Sequence, residues 1–496
     1  MKKSNIKLNY FYSLTFQLFS LIIPLITTPY ISRVLSVDGI GQLSFATTII
    51  SYFCLFATLG FSLYGQREIS KLQGDSQNQI IIFREIVLCK LLVGVPLFFV
   101  CWALVIFRVF DIYSVLVSIM SIDIISSTID ISFFFQGNEN FRTLAVRDLI
   151  VKILSVVFIF IFVKAQTDLW IYALCKSSAT FVSAIVLWLC LKCNTINMSN
   201  NFFSLKKHYI TSLKLFVPTI AISVFTMLDK TLIGLLIKED IKVKLSDGTI
   251  ILKRLADIEN GYYSQSEKIV KLVLLVFSSL GTVMLSRNSY DIIHSNKNIY
   301  INNIKKTIKY VIFIATPMCF GIIAISNNFY PWFFGKGYAK VSLLLIIFSF
   351  MILPSGLGNV LGYQYLIPMG EDLKYALVYI IVAIINLLLN IVLIPRFLSC
   401  GAAFASVVAE TIAPILMIYY VRKQFEILDV FKDSWKTLLC SCIMCVIVFL
   451  TSLLFKPTIL YTLILIVEGF ALYMFFTTIM GCNIAYELLI RDRSKK

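Results

Sequence analysis

Charge is scarce in this chain. Only 14% of its 496 residues are Asp, Glu, Lys or Arg, against roughly a quarter in a soluble domain. Histidine is scarcer still, with His208 and His294 alone. The Cys190-x-x-Cys193 and Cys440-x-Cys442-x-x-Cys445 spacings look like metal or redox motifs, but neither group has a histidine near it. The twelve cysteines lie mostly inside apolar runs and read as small packing residues. Large hydrophilic loops are missing as well. A polymerase or glycosyltransferase would need catalytic carboxylates, Arg or His on a substantial loop, and the largest external insert is only 238–260. The Gly39-x-Gly41 match has no strand before it and no nucleotide domain after it, which excludes a phosphate loop.

What is present is hydrocarbon. Hydrophobic residues make up 59% of the chain, and the mean hydropathy is +0.87. Uncharged runs such as "LLVGVPLFFVCWALVIF" (91–107) and "ALVYIIVAIINLLLNIVLI" (376–394) recur throughout. A helix of ~20 such residues crosses ~30 Å of hydrocarbon. The runs are continuously apolar rather than alternating, so they predict helices and not a barrel. We expect an all-α polytopic membrane protein with about fourteen spans, near 10–32, 42–64, 82–107, 112–136, 144–164, 168–191, 211–237, 262–285, 307–326, 340–363, 374–395, 400–421, 435–455 and 458–481. The first resembles a signal peptide, yet its apolar core is too long and no small-residue cleavage site follows, so it reads as a retained span.

The net charge of +17 falls on alternate loops rather than in one patch. Lys2, Lys3 and Lys7, then Arg67 and Lys71, Arg142 and Arg147, Lys206 and Lys207, Lys305 to Lys309, Arg422 and Lys423, and the tail from Arg491 share one side. That is the positive-inside pattern of a bacterial cytoplasmic membrane protein with both termini cytoplasmic. It predicts contact with anionic membrane lipids and not with nucleic acid.

A duplication organises the spans. "VDGIGQLSFATTIISY" (37–52) parallels "IENGYYSQSEKIVKLV" (258–273), placing Gly39 on Gly261 and Ser44 on Ser266. "SSATFVSAIVLWLCLK" (177–192) parallels "GAAFASVVAETIAPILMIYYVRK" (401–423) at nearly the same offset. A repeat of six spans gives two six-helix lobes of parallel orientation. The expected division is an N-lobe over 1–205 with spans 1–6 and a C-lobe over 206–425 with spans 7–12. Two further helices and a basic cytoplasmic tail fill 426–496. Within the C-lobe lies the extracytoplasmic insert 238–260, where "IKVKL" and "TIILKRL" flank Asp247-Gly248 as a small hairpin. Gly39-x-Gly41 is expected to form the outer turn between spans 1 and 2.

Polar residues inside the spans are costly and therefore informative. Ser13, Gln17, Ser20, Pro24 and Thr27 share one helical face, as do Thr219, Ser223, Thr226 and Lys230. The fourth span carries Asp123, Ser127 and Asp130 at spacings that share a face. Lys90, Lys152, Lys176, Asp229, Lys230, Lys268, Lys271, Glu410 and Glu468 lie deep in other spans. Asp148 with Lys152 and Glu267 with Lys271 are expected i,i+4 pairs. Asn386 and Asn390, one turn apart, either line a cavity or bridge helices. Together these residues imply a polar cavity between the halves, with basic groups for an anion and apolar lateral walls for a lipid tail. A potential of about 100 mV moves each elementary charge with roughly 2.3 kcal/mol, so an anionic headgroup is driven outward.

Five segments then speak together. "LITTPYISRVLSVDGIGQLSFATTIISYFCLFATLGFSLYGQREISK" (25–71), "FFFQGNENFR" (133–142), "MLDKTLIG" (227–234), "NGYYSQSEKIVK" (260–271) and "GAAFASVVAE" (401–410) resemble the Wzx-type polysaccharide repeat-unit flippases. Those belong to the multidrug/oligosaccharidyl-lipid/polysaccharide (MOP) exporter superfamily. The resemblance implies two six-helix lobes in a V, two additional helices and alternating access. The implied cargo is an undecaprenyl-diphosphate-linked oligosaccharide, moved from the inner to the outer leaflet for capsule or O-antigen assembly. Polysaccharide polymerase and chain-length machinery are the implied downstream partners. The resemblance also implies a cationic lumen, a role falling here to Lys90, Lys176, Lys230 and Lys268, with Arg33 near the outer mouth and Gln42 beside it. Asp130, Asp229 and Glu410 are candidates to bind a coupling proton or sodium ion, or to pair with the lysines. No other cofactor and no catalytic residue is expected. The insert 238–260 departs from the family pattern. Rivals are a multidrug antiporter or lipid II flippase of the same superfamily and, in the enzyme class, a membrane polymerase.

Overall fold

A computed structural model describes residues 22–191, 205–244, 250–294, 297–422, 431–432 and 434–482. The chain divides into two compact units, Met1–Met227 and Leu228–Lys496.

The first unit opens with α1 (22–34), whose earlier part as the expected first span lies outside the described residues. The turn that follows is made by Leu35 and by Ser36, which takes φ 60° and donates its hydroxyl to Asp38 Oδ1 at 2.7 Å. Helix α2 (Ser36–Thr58) therefore begins before the glycine pair. Gly39 and Gly41 are buried in its first two turns, not in the turn between spans as their spacing predicts. The serine makes the turn, while a Cβ on Gly39 would meet the Leu169 side chain at 3.8 Å, an ordinary contact. Helices α3 (Phe61–Lys71) and α4 (Ser76–Ile106) follow, the latter capped by the Asp75 carboxylate accepting from Asn78 N–H at 3.2 Å.

The fourth expected span is broken into α5 (Ser114–Met120), α6 (Ile122–Ile129) and α7 (Ser132–Gly137). Asp130 sits in the break with extended backbone, φ −64° and ψ 125°. Asp123 and Asp130 thus do not share one continuous helical face. Helices α8 (Phe141–Phe162) and α9 (Leu169–Cys190) complete the unit. Its core joins small and large apolar groups of α2, α4, α5, α6 and α9, among them Ala46, Ile50, Cys101, Val117, Ile124 and Ala173.

Helix α10 (Leu205–Leu236) starts in the first unit and ends in the second. Its start is held by Tyr209 donating to the Cys89 carbonyl at 3.0 Å and Ser212 donating to the Leu59 carbonyl at 2.7 Å. Between them and α4, buried His208 lies 2.8 Å from the Tyr64 hydroxyl and 2.6 Å from Glu85 Oε2.

In the second unit the expected hairpin forms as β1 (Asp240–Lys244) and β2 (Ile250–Arg254), antiparallel with Lys242 opposite Leu252. Helices α11 (Leu255–His294), α12 (Lys297–Phe333), α13 (Ala339–Ser349) and α14 (Ile352–Asn359) lead to a π turn, Val360–Leu366. The continuous-looking α15 (Asp372–Val421) holds two expected spans, separated by a kink at Leu398 with φ 54°. Helices α16 (Ser434–Leu454) and α17 (Ile459–Ile479) pack on α12.

Among the described residues, eight helices are long and apolar enough to cross a membrane, and nine if the 42° bent pair Ala339–Ser349 and Ile352–Leu366 counts as one span. The 50-residue α15 enters that number once although it carries spans 11 and 12. Phe107, Leu189, Val467 and Leu454 show large apolar side chains outward, as a surface solvated by lipid requires. The chain is an all-α, multi-pass membrane protein.

Glycine permits one contact in particular. A Cβ on Gly94 of α4 would stand 2.0 Å from Thr128 Oγ1 of α6, whereas one on Gly321 of α12 would meet nothing within 4 Å. Gly94→Leu should therefore destabilise the protein by ~1–3 kcal/mol through overpacking. Gly321→Ala should be neutral or stabilising by up to ~1 kcal/mol. Thermal unfolding in detergent, followed by loss of the monodisperse chromatographic peak, separates the two.

Candidate ion and anion site in the second unit

A carboxylate taken into a membrane needs donors from its own chain. Asp229, near the end of α10, is 4% exposed and has three. Its Oδ1 accepts from Asn390 Nδ2 at 2.5 Å. Its Oδ2 accepts from the Tyr263 hydroxyl at 2.6 Å and the Ser406 hydroxyl at 2.5 Å. The donors come from α11 and from both halves of α15, so four helical segments meet on one side chain. Asn390 Nδ2 also donates to Asn386 Oδ1 at 3.0 Å. Among the described residues no cation lies within ion-pair distance of Asp229, and its hydrogen-bond partners are all neutral dipoles.

Two further atoms make this cluster chemically open. Asn390 Oδ1 and Asn386 Nδ2 are buried without a hydrogen-bond partner. A carboxylate, a carboxamide oxygen and two hydroxyls converge there. That oxygen-rich set fits a proton on Asp229 or a small hard cation such as sodium.

The next residue, Lys230, turns to a different partner. Its Nζ lies 2.7 Å from Glu267 Oε2, while Lys271 Nζ lies 2.6 Å from Glu267 Oε1. The expected Glu267–Lys271 pair thus exists, but as two thirds of a triad with a surplus positive charge. Glu267 is 9% exposed, Lys230 20% and Lys271 47%. Asn260 Nδ2 fastens the turn by donating to the Lys230 carbonyl at 3.1 Å. One helical turn beyond Ser406, Glu410 accepts from Ser355 Oγ at 2.6 Å. Lys271 stands within electrostatic range of both Asp229 and Glu410. Lys268 is half-buried on the same helix.

A clamp lies nearer the hairpin. Buried Glu259 accepts from Lys340 Nζ at 2.7 and 2.8 Å, from Ser399 N–H at 3.2 Å and from the Ser399 hydroxyl. It ties the start of α11 to the start of α13 and to the residue after the Leu398 kink. Farther along, Ile269, Val273, Phe313, Met444, Leu465 and Phe470 help line an apolar cavity of about 470 Å³.

The remaining sequence candidates lie in the first unit. Lys90 is fully buried, with Nζ on the Asp130 carbonyl at 2.5 Å and over the Phe133 ring at 5.7 Å. It caps the carbonyl end of the broken fourth span. The Asp130 carboxylate accepts from Ser132 Oγ at 2.6 Å, with Arg147 at 3.9 Å. Arg147 also meets Asp148, the expected partner of Lys152, at 2.8 Å. Asp123 accepts from Ser177 and Thr180. Arg33 and Lys176 are exposed and Gln42 is half-buried.

Sequence reading missed Tyr263, Glu259 with Lys340, and the His208 triad. Tyr263 lies inside a quoted motif, but its tie to Asp229 spans 34 positions and the intervening hairpin. Nothing local signals it.

The triad makes a stability prediction. Glu267→Gln leaves Lys230 facing no carboxylate, and breaking a buried pair this way costs ~3–5 kcal/mol. Replacing both partners, Glu267→Leu with Lys230→Met, should recover most of that loss because Lys271 can turn to water. Thermal unfolding of the three proteins checks it.

Comparison with known proteins agrees with this architecture. Residues 6–285, more than half of the chain, match the family described as "Polysaccharide biosynthesis protein", and a second family of the same description matches 240–343. The "Putative O-antigen transporter" of Escherichia coli (strain K12) is 22% identical over 429 residues, covering 85% of this chain and 97% of that protein. Its counterpart in Shigella dysenteriae is 21% identical over 409 residues, covering 80% and 96%. Among solved structures, the lipid II flippase MurJ in an inward closed conformation superposes with TM-score 0.71 at 19% identity, covering 97% of this chain and 99% of that one. An inward-facing multidrug resistance MATE family transporter of the MOP superfamily gives 0.59 at 11% identity, covering 84% and 99%. The fold is that of the MOP superfamily, and the chain belongs to the polysaccharide biosynthesis protein family.

Proposed function

We propose that this protein is a flippase for undecaprenyl-diphosphate-linked oligosaccharide repeat units. It carries them from the inner to the outer leaflet of the bacterial cytoplasmic membrane for capsule or O-antigen assembly. Both termini face the cytoplasm, and alternating access rather than catalysis does the work. The observation that carries the reading is the juxtaposition of Asp229 with the Lys230–Glu267–Lys271 triad in the second unit.

The chemistry divides by charge. Asp229 and its hydroxyl and amide partners suit a proton or sodium ion, with Glu410 as a second acidic site. Lys230 suits the diphosphate, because it leaves Glu267 neutralised by Lys271 when it turns to the cargo. A cation arriving at Asp229 lowers the attraction holding positive charge nearby and so frees Lys230 to engage an anion. Lys268, Arg33, Gln42, Lys90 and Lys176 complete the proposed anion path. Of these, Lys90 must leave the Asp130 carbonyl to take part. The apolar cavity beside α16 and α17 offers the prenyl tail a surface without polar groups to desolvate. The relatives named as O-antigen transporters support this cargo over lipid II or a drug, and the lysine set argues against a cationic drug. Polysaccharide polymerase and chain-length machinery would consume the flipped product.

Lys230→Ala should insert and fold normally, because Glu267 keeps Lys271. Losing one charge-assisted phosphate contact is worth ~1.5–3 kcal/mol, or roughly tenfold or more in rate. Proteoliposomes holding a fluorescent lipid-diphosphate oligosaccharide, with headgroup exposure as the readout, give that rate. Wild-type protein no faster than empty vesicles would refute the function. Normal surface polymer in cells carrying only Lys230→Ala would remove this residue from it.

A further inference from the structure

The hairpin between α10 and α11 has no part in that reading. Residues 238–254 carry five basic side chains, Lys238, Lys242, Lys244, Lys253 and Arg254, and three acidic ones, Glu239, Asp240 and Asp247. In the proposed orientation the segment is extracytoplasmic, where the positive-inside pattern leaves loops poor in lysine. Such a concentration of base on that side needs a cause.

Register shows how the charge is sorted. Asp240 stands opposite Arg254 at the root, an opposite-charge pair. In the four pairs beyond it the register sets no acid opposite a base. Ile241 stands opposite Lys253, Lys242 opposite Leu252, Val243 opposite Ile251, and Lys244 opposite Ile250. Lysine is thus matched with an aliphatic residue at three of these four levels. Asp240 and Lys242 are exposed, and Leu252 is 69% exposed on their face of the sheet. Ile241 and Lys253, on the other face, are half-buried, and β2 lies toward α11. The hairpin is closed at its base by Leu255 N–H donating to the Glu239 carbonyl at 3.0 Å. Its two ends continue directly into α10 and α11, so it stands where those helices leave the hydrocarbon.

An exposed leucine among lysines, at the membrane boundary, has the chemistry of an interfacial element. Lysine stems lie along apolar surface while their ammonium groups reach phosphate. A two-stranded hairpin is also marginal in water by itself, and a charged surface on one face would order it.

We propose that the exposed face of this hairpin docks on the phosphate headgroups of anionic phospholipids in the leaflet it faces, with Lys242 binding phosphate and Leu252 entering the acyl boundary. Only the identity of that leaflet rests on the flippase reading. The test is hydrogen–deuterium exchange of the full-length protein in nanodiscs of phosphatidylcholine alone and of phosphatidylcholine with phosphatidylglycerol. Backbone amides of 240–254 should exchange about tenfold more slowly in the anionic discs. High salt should abolish the difference. The variant Lys242→Gln should lose it, and Lys242→Arg should keep it. Equal exchange in both lipids overturns the proposal, as does an undiminished difference in the glutamine variant. Because no cargo is present, lipid-dependent protection in a protein that fails to flip cargo would separate this inference from the flippase reading.

Discussion

Desolvation of one carboxylate organises the second unit. A lone ionised Asp229 in hydrocarbon would be prohibitive, and the structure supplies hydroxyls and an amide from α11 and from both sides of the α15 kink. Each of those helices must then approach α10 at one level. The same constraint explains why Tyr263 and Ser406 sit where they do, and why Asn386 stands one turn behind Asn390. The network satisfies the carboxylate without a cation. In the proposed reading, that leaves the acid able to respond to one.

Lys230 follows from the same logic at the next residue. Helical geometry sends it to another face, where Glu267 already has a second partner in Lys271. A carboxylate flanked by two ammonium groups can release one of them without becoming unpaired. The Asp229 network and the Lys230 triad thus start from adjacent residues of α10. The helix itself belongs to both units, held at its start by His208, Tyr209 and Ser212 and at its end by Asp229 and Lys230.

Much of this was legible in the residues, and the misses have physical causes. Continuous hydropathy gave helices and a membrane, and the Asp-Lys pair, Ser406, Asn386, Asn390 and Glu410 stood out because polar groups in apolar runs are conspicuous. The hairpin was visible from two β-prone runs around Asp-Gly. What periodicity could not show was a departure from periodicity. Asp130 looked like part of a helical face with Asp123, yet Lys90 takes its carbonyl and Ser132 its carboxylate, and the helix ends at Ile129. Gly39-x-Gly41 looked like a turn, whereas Ser36 takes the positive φ and the glycines lie buried in the helix that follows. Tyr263, Glu259 and Lys340 were hidden because their partners lie in distant segments, and sequence spacing carries no information about such ties.

The central claim is that Asp229 is the ion-responsive group coupled to anion transport. Its most direct test is headgroup flipping in proteoliposomes of wild type and Asp229→Asn, each measured with and without imposed proton and sodium gradients. Asparagine keeps the side-chain volume and removes the charge. The account predicts a wild-type rate that rises with one of the two gradients and an Asp229→Asn rate that is slow and the same under all of them. An Asp229→Asn protein that still accelerates with the gradient would contradict it.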